Sequence, residues 1–216
     1  GTAASPTLSL FFNAWTNSTT RVAGSLTRVG SAYLYTSDFT DRYIGTIYVS
    51  GSGTTEDSLA NRFVWNYYNA VPRPMTKLES TSSWTMSYAG LGVARSANNN
   101  SANALSVVVP FSGICRIFIT GRTMGFNSST TSQVAGGIGI NQNTNSLPQL
   151  GATDFSFFGQ PAVRASTPIV MTYSLVNTPN NLGLNTYYWL EYVQTSATVG
   201  TFYGANQYGL HGIWSC

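Results

Sequence analysis

The stretch Thr186-Tyr187-Tyr188-Trp189-Leu190-Glu191-Tyr192-Val193-Gln194 decides the fold. Aromatic and β-branched residues fill it, and such side chains suit the half-buried surface of a pleated sheet. Alternate positions of a strand point to opposite faces, and here both faces are apolar. Tyr188, Leu190 and Tyr192 make one; Tyr187, Trp189 and Val193 make the other. An antiparallel sandwich that stands alone normally turns one face of each sheet to water. The second apolar face beside Glu191 therefore suggests a subunit interface, assigned to Tyr187, Trp189 and Val193, with cover by a loop of the same chain as the alternative.

Similar strands are expected over 84–89, 104–111, 114–124, 134–141, 169–176, 199–203 and 208–214, divided by loops of Asn, Ser, Thr and Gly. With 186–194 they make the number of strands in a jelly roll. Upstream, strands are expected over 7–12, 31–36 and 43–49, the last two joined as a hairpin through the turn Ser37-Asp38-Phe39-Thr40-Asp41. Gly51-Ser52-Gly53 breaks that pattern and lacks the rest of a phosphate loop. A helix is expected over 56–69, capped by Thr54 or Thr55, with Glu56 and Asp57 in its first turn and a stripe of Leu59, Phe63 and Tyr67. Val71-Pro72-Arg73-Pro74 ends it. The expected architecture is all-β: a neck of hairpin and helix over 1–80, then an antiparallel jelly-roll sandwich over 81–216. The opening Gly1-Thr2-Ala3-Ala4-Ser5-Pro6 resembles a processed end.

Only 8% of the 216 residues are charged, whereas aromatics reach 13%. An isolated soluble domain carries roughly a quarter charged residues, so much of this surface is expected to face other subunits. The net charge of +3 is spread along the chain without a basic run, which argues against nucleic acid as a partner. No stretch approaches the ~20 apolar residues of a membrane span, so no membrane insertion is expected. Sequons at Asn17, Asn99 and Asn127 are ordinary in so Asn- and Ser-rich a chain.

Catalytic and metal chemistry have little to work with. Among the acids, only Asp38 with Asp41 and Glu56 with Asp57 are close in sequence, and a turn and a helix start account for them. His211 is the one histidine, in an expected strand without a nucleophile-elbow serine, and no metal-ligand spacing occurs. The chain reads as non-enzymatic, with no cofactor. Binding chemistry is abundant: the loops over 96–103, 127–133, 141–149 and 177–185 are rich in amides and hydroxyls, groups that hydrogen-bond sugars well. Asn98, Asn99, Asn100, Asn141, Asn143, Asn145, Asn180 and Asn181 are the candidate receptor-binding residues.

The segment Val107-Val108-Val109-Pro110-Phe111-Ser112-Gly113-Ile114-Cys115-Arg116-Ile117, then Pro168-Ile169-Val170-Met171-Thr172-Tyr173, then Tyr187-Tyr188-Trp189-Leu190-Glu191-Tyr192 and a closing apolar strand, resembles the complement-type and tumour-necrosis-factor-like jelly-roll heads. The tail from Glu191 to Gly204 is similar to the ends of phage structural proteins bearing such heads. Asn61-Arg62-Phe63-Val64-Trp65-Asn66-Tyr67-Tyr68-Asn69 with Pro72-Arg73-Pro74-Met75 is similar to an element that precedes heads in phage fibres. The resemblance implies a homotrimeric viral fibre or spike protein on the virion surface, assembled in the host cytoplasm. Its partners would be other virion proteins and a host cell-surface glycan or protein. Capsid decoration without receptor binding is the second reading, and a polysaccharide-degrading enzyme the third. The family commonly has an aromatic where Cys115 stands. Its last strand pairs with the one beginning at Gly113, so a disulfide between Cys115 and Cys216 is a possibility, with two buried free thiols as the alternative.

Overall fold

The computed structural model describes residues 14–17, 26–36, 38–51, 53–89, 93–111, 113–127, 134–146, 155–156, 167–193 and 198–216. The strand expected over 7–12 lies outside them. Two compact units divide at Tyr43 and Ile44. In the first, β1 (Leu26–Val29), β2 (Ala32–Tyr35) and β3 (Asp38–Arg42) form an antiparallel sheet in that order. Residues 38–41 of the expected turn thus belong to the hairpin's second strand. Tyr35 already faces Asp38, leaving only two residues between them, the shortest common hairpin loop.

The second unit opens with β4 (Gly45–Ile47), β5 (Asn61–Arg62), β6 (Val64–Asn66) and β7 (Arg73–Leu78). The helix over 56–69 does not form. Instead β6 pairs with β4, and β5 lies parallel to a later strand. The apolar positions that matter repeat every two residues: Phe63 and Trp65 are both buried, whereas Leu59 of the supposed helical stripe is exposed. The Glu56 carboxylate accepts bonds from Ser58 Oγ and Asn61 Nδ2, which ties this stretch into a turn. Nor does the head begin near 81. β7 is hydrogen-bonded along its length into the sandwich, because Met75 is a core residue.

The remaining strands are β8 (Ser83–Ser87), β9 (Val93–Ser96), β10 (Ala104–Val109), β11 (Arg116–Asn127), β12 (Val134–Ile140), β13 (Thr144–Ser146), β14 (Phe155–Ser156), β15 (Ile169–Asn177), β16 (Gly183–Val193), β17 (Val199–Tyr203) and β18 (Gly209–Ser215). They build an all-β, jelly-roll-like sandwich. One sheet runs β13-β9-β16-β10-β5, with β12 on the other edge of β16 and β14 beyond it. The facing sheet runs β7-β18-β11-β17-β8, with β15 on the other edge of β11. The core lies between them, from Leu105, Val107, Tyr187, Trp189 and Val193 on the first sheet to Met86, Ile117, Ile119, Phe202 and Trp214 on the second.

That core corrects the subunit-interface assignment. Tyr187, Trp189 and Val193 are 0%, 1% and 0% exposed, sealed by the chain's own second sheet. Trp189 meets Trp84 of β8 edge to face at 5.8 Å. The opposite face, Leu190 and Tyr192 with Tyr188, packs with Ala94 of β9 and Ala135 of β12 in a smaller cluster. The alternation shows that both faces are apolar; it does not say which one meets the other sheet.

β11 and β18 run antiparallel with Arg116 opposite Ser215, so the next pair outward is Cys115 and Cys216. The structure joins these two in a disulfide across a sequence separation of 101 residues.

Candidate functional site

Both long strands carry two partners end to end on one edge. Along β11, β18 covers 116–122 and β17 covers 124–127; along β16, β10 covers 183–188 and β9 covers 190–192. Outside them, β7 and β8 follow β18 and β17. Each such pair must be joined by a connection that leaves the sheet midway. Three of these, 79–82, 97–103 and 204–208, emerge together on the flank of the sandwich.

A buried carboxylate holds them. Glu79 accepts from its own loop through Thr81 N (2.9 Å) and from Asn103 Nδ2 (2.6 Å), which also donates to Ala97 O. Its backbone oxygen accepts from Asn206 N (2.8 Å), and Ala205 N donates to Thr81 O. Burial alone would raise the Glu79 pKa; the bonds from Asn103, Thr81 and Asn98 outweigh it and bring the group down to about 2. It is therefore a fixed anion on which three loops converge.

A second carboxylate steadies one of these loops, 97–103, from below. Glu191 is wholly buried on the inner face of β16, where it accepts from Trp84 Nε1 (2.5 Å), Arg95 Nε (2.6 Å) and Asn98 N (3.3 Å). Arg95 also donates to Thr85 O, so the network spans both sheets. Burial raises the Glu191 pKa, against the bond from Trp84, the charge and bond of Arg95 and the Asn98 amide. Asn98 in turn donates from Nδ2 to Thr81 Oγ1 (3.0 Å). Asn98, Asn99, Ala205 and Asn206 all adopt positive φ, between 52° and 59°, a conformation Asn tolerates better than most residues.

The outcome is an exposed platform of Ser80, Thr81, Ser82, Asn99, Asn100, Ser101, Asn206 and Gln207, without a charge. Of the candidate residues, Asn98, Asn99 and Asn100 belong to it. Asn98 is part of its frame, and Asn100 Oδ1 is occupied by Ala102 N. Asn141 and Asn181 lie together elsewhere. Asn141 Oδ1 accepts from Thr186 N and its Nδ2 donates to Asn185 Oδ1, while Asn181 O accepts from Asn185 Nδ2. Asn180 is exposed in that same connection. The Asn143 oxygen caps Ser96, and the Asn145 backbone pairs with Ala94. Residues 128–133 and 147–149 of the candidate loops lie outside the described residues.

Sequence reading missed Glu79 and the 204–208 connection, and it did not single out Asn103 within the 96–103 loop. A lone acid followed by Ser80-Thr81-Ser82 is a loop-capping signal at best, and its distant partners leave no local trace. A cleft of ≈ 240 Å³ at the disulfide end is lined by Trp65, Arg73, Trp214 and Cys216. Both tryptophans are buried and present no open ring face to a ligand. Among the described residues no group of acids, histidines and cysteines is placed to hold a metal.

No family model matches the chain, and no curated protein matches it. Among solved structures it is similar to a chain of infectious bursal disease virus, Gx strain, at 13% identity and a TM-score of 0.36. The match covers 81% of this chain and 42% of that one. At that score neither fold nor function carries across.

Proposed function

We propose that the chain is a virion structural protein whose flank platform contacts a host cell-surface glycan or protein. The observation that carries this reading is the platform itself. Buried Glu79 joins its three loops and buried Glu191 steadies one of them, yet its outer surface is uncharged amide and hydroxyl. Rigid, neutral hydrogen-bonding surfaces lose little entropy on binding and match the groups that sugars present. The viral context is what the sequence resemblance to phage heads implies. Weak single sites would act together through repetition on a particle, where a second contact is intramolecular. That repetition does not need the threefold interface first assigned to Tyr187, Trp189 and Val193.

The test is competition with virion adsorption, using the chain displayed on beads. The variant Ser101→Glu with Gln207→Glu places two carboxylates on the platform without touching its buried frame. Adsorption competition should fall at an unchanged unfolding midpoint. Undiminished competition would move recognition elsewhere, and no competition by the parent chain would favour capsid decoration.

A further inference from the structure

We infer that β15 is a self-pairing edge: two copies of this chain join antiparallel through β15, with Tyr173 on the twofold axis. One edge of β15 is hydrogen-bonded to β11 from Ile169 to Asn177 without a bulge. Along the other edge, among the described residues, no strand is paired. Proteins normally blunt such an edge with charge, proline, a bulge or brevity. The nine residues Ile169-Val170-Met171-Thr172-Tyr173-Ser174-Leu175-Val176-Asn177 have none of these.

The sequence of the strand identifies the partner. Folded back on itself about Tyr173, it sets Val170 opposite Val176 and Thr172 opposite Ser174 on the outer face, and Met171 opposite Leu175 on the inner face, leaving only the end pair Ile169 and Asn177 unlike. Apolar meets apolar and hydroxyl meets hydroxyl, the pairings that stabilise antiparallel neighbours. Moving the axis to Thr172 sets Val170 against Ser174; moving it to Ser174 sets Val176 against Thr172. Neither offset keeps like with like on the outer face, as the Tyr173 axis does. A strand complementary to itself is what an isologous interface requires, since the same patch must serve both sides.

The outer face gives a second, independent argument. Pro74, Ile213, Phe118 and Val176 lie in register across β7, β18, β11 and β15. Ile213, Phe118 and Val176 are 48%, 44% and 69% exposed. This apolar row stops abruptly at Val176. In the twofold pairing the second copy's Val170 takes the next place. Beyond it, by the same registers, come that copy's Met124 and Tyr203. The row is then continuous through both copies instead of ending at exposed Val176.

Sedimentation of the 216-residue chain over a hundredfold concentration range should show a monomer of 23.2 kDa in equilibrium with a dimer and nothing larger. Val170→Lys with Val176→Lys places Lys opposite Lys at both outer pairs and should weaken the dimer at least tenfold. Val170→Lys with Val176→Glu places Lys opposite Glu at both pairs and should restore it, now sensitive to salt. Matching thermal midpoints show that both variants fold. A monomeric parent, a Lys/Lys variant that still dimerises, or a Lys/Glu variant that stays monomeric overturns the inference, and species beyond the dimer overturn the twofold axis. The measurement is independent of receptor contact, so its failure leaves the platform reading standing.

Discussion

Replacing Glu79 by Gln tests whether one buried anion organises the flank platform. The carboxyl falls from 4.5 to about 2 on folding. At ~1.36 kcal/mol per unit, ionised Glu79 is worth about 3 kcal/mol at neutral pH. Because the folded-state value is depressed, this stability is complete above the unfolded value of 4.5 and is lost as pH falls toward about 2. At about pH 3 the folded protein still holds the anion while the unfolded chain is protonated, and about 1.4 kcal/mol remains. Gln keeps the shape but turns an NH₂ toward the Asn103 or Thr81 donor, a cost that does not vary with pH. The assay is urea unfolding followed by tryptophan fluorescence, to which Trp65, Trp84, Trp189 and Trp214 of the second unit contribute along with Trp15, with the disulfide intact. For a slope of about 2 kcal/mol per molar, the variant's midpoint should fall by about 1.5 M or more at neutral pH. The gap to the parent should narrow by about 1 M at pH 3. A gap that stays constant in acid refutes the reasoning, because the loss would then be steric rather than electrostatic.

Glu191→Gln should show the opposite pH dependence: its folded-state pKa is raised, so its contribution is greatest in acid and is lost as pH rises, and the variant's deficit should shrink from acid to neutral in the same unfolding assay. Replacing both Cys115 and Cys216 by Ser opens a loop spanning 101 residues and should cost about 2–5 kcal/mol, read as a lower urea midpoint that no longer responds to reductant. Gly121→Ala drives a methyl group into the buried ring of Tyr173 across the β11–β15 pair and should cost about 1–3 kcal/mol, seen as a lower thermal midpoint; an unchanged midpoint would show that the ring can move aside.

Eight strands of the sandwich are legible because their alternation is strong and tertiary context agrees with it, whereas the short β5, β9, β13 and β14 and the proline-flanked β7 are not. In β15, Met171, Tyr173 and Leu175 are buried between exposed Val170, Thr172, Ser174 and Val176, as the two-residue period requires. The 56–69 stretch misleads because Leu59, Phe63 and Tyr67 also satisfy a helical spacing. The choice is made by distant strands, where Ser106 faces Asn61 and Thr46 faces Trp65, and no local window contains those partners. The flank platform is half legible for a similar reason. The polar run from Asn98 to Asn103 announces a loop, but Glu79 and Asn206, which fix its shape, are separated from it in sequence and meet it only because two strands are interrupted at the same level.

The bond between Cys115 and Cys216 also determines how the sandwich would carry force. β18 lies between β11 and β7, and a pull applied beyond Ser215 would otherwise peel it away from that end, one hydrogen bond at a time. With Cys216 fastened to the start of β11, the two strands are drawn as one body. The load passes into the long ladders that hold them to β15 and β7, which must slide along their whole length before any part yields. The fastening ties the residue just past β18 to the residue just before β11, so that end of the pair cannot open one hydrogen bond at a time.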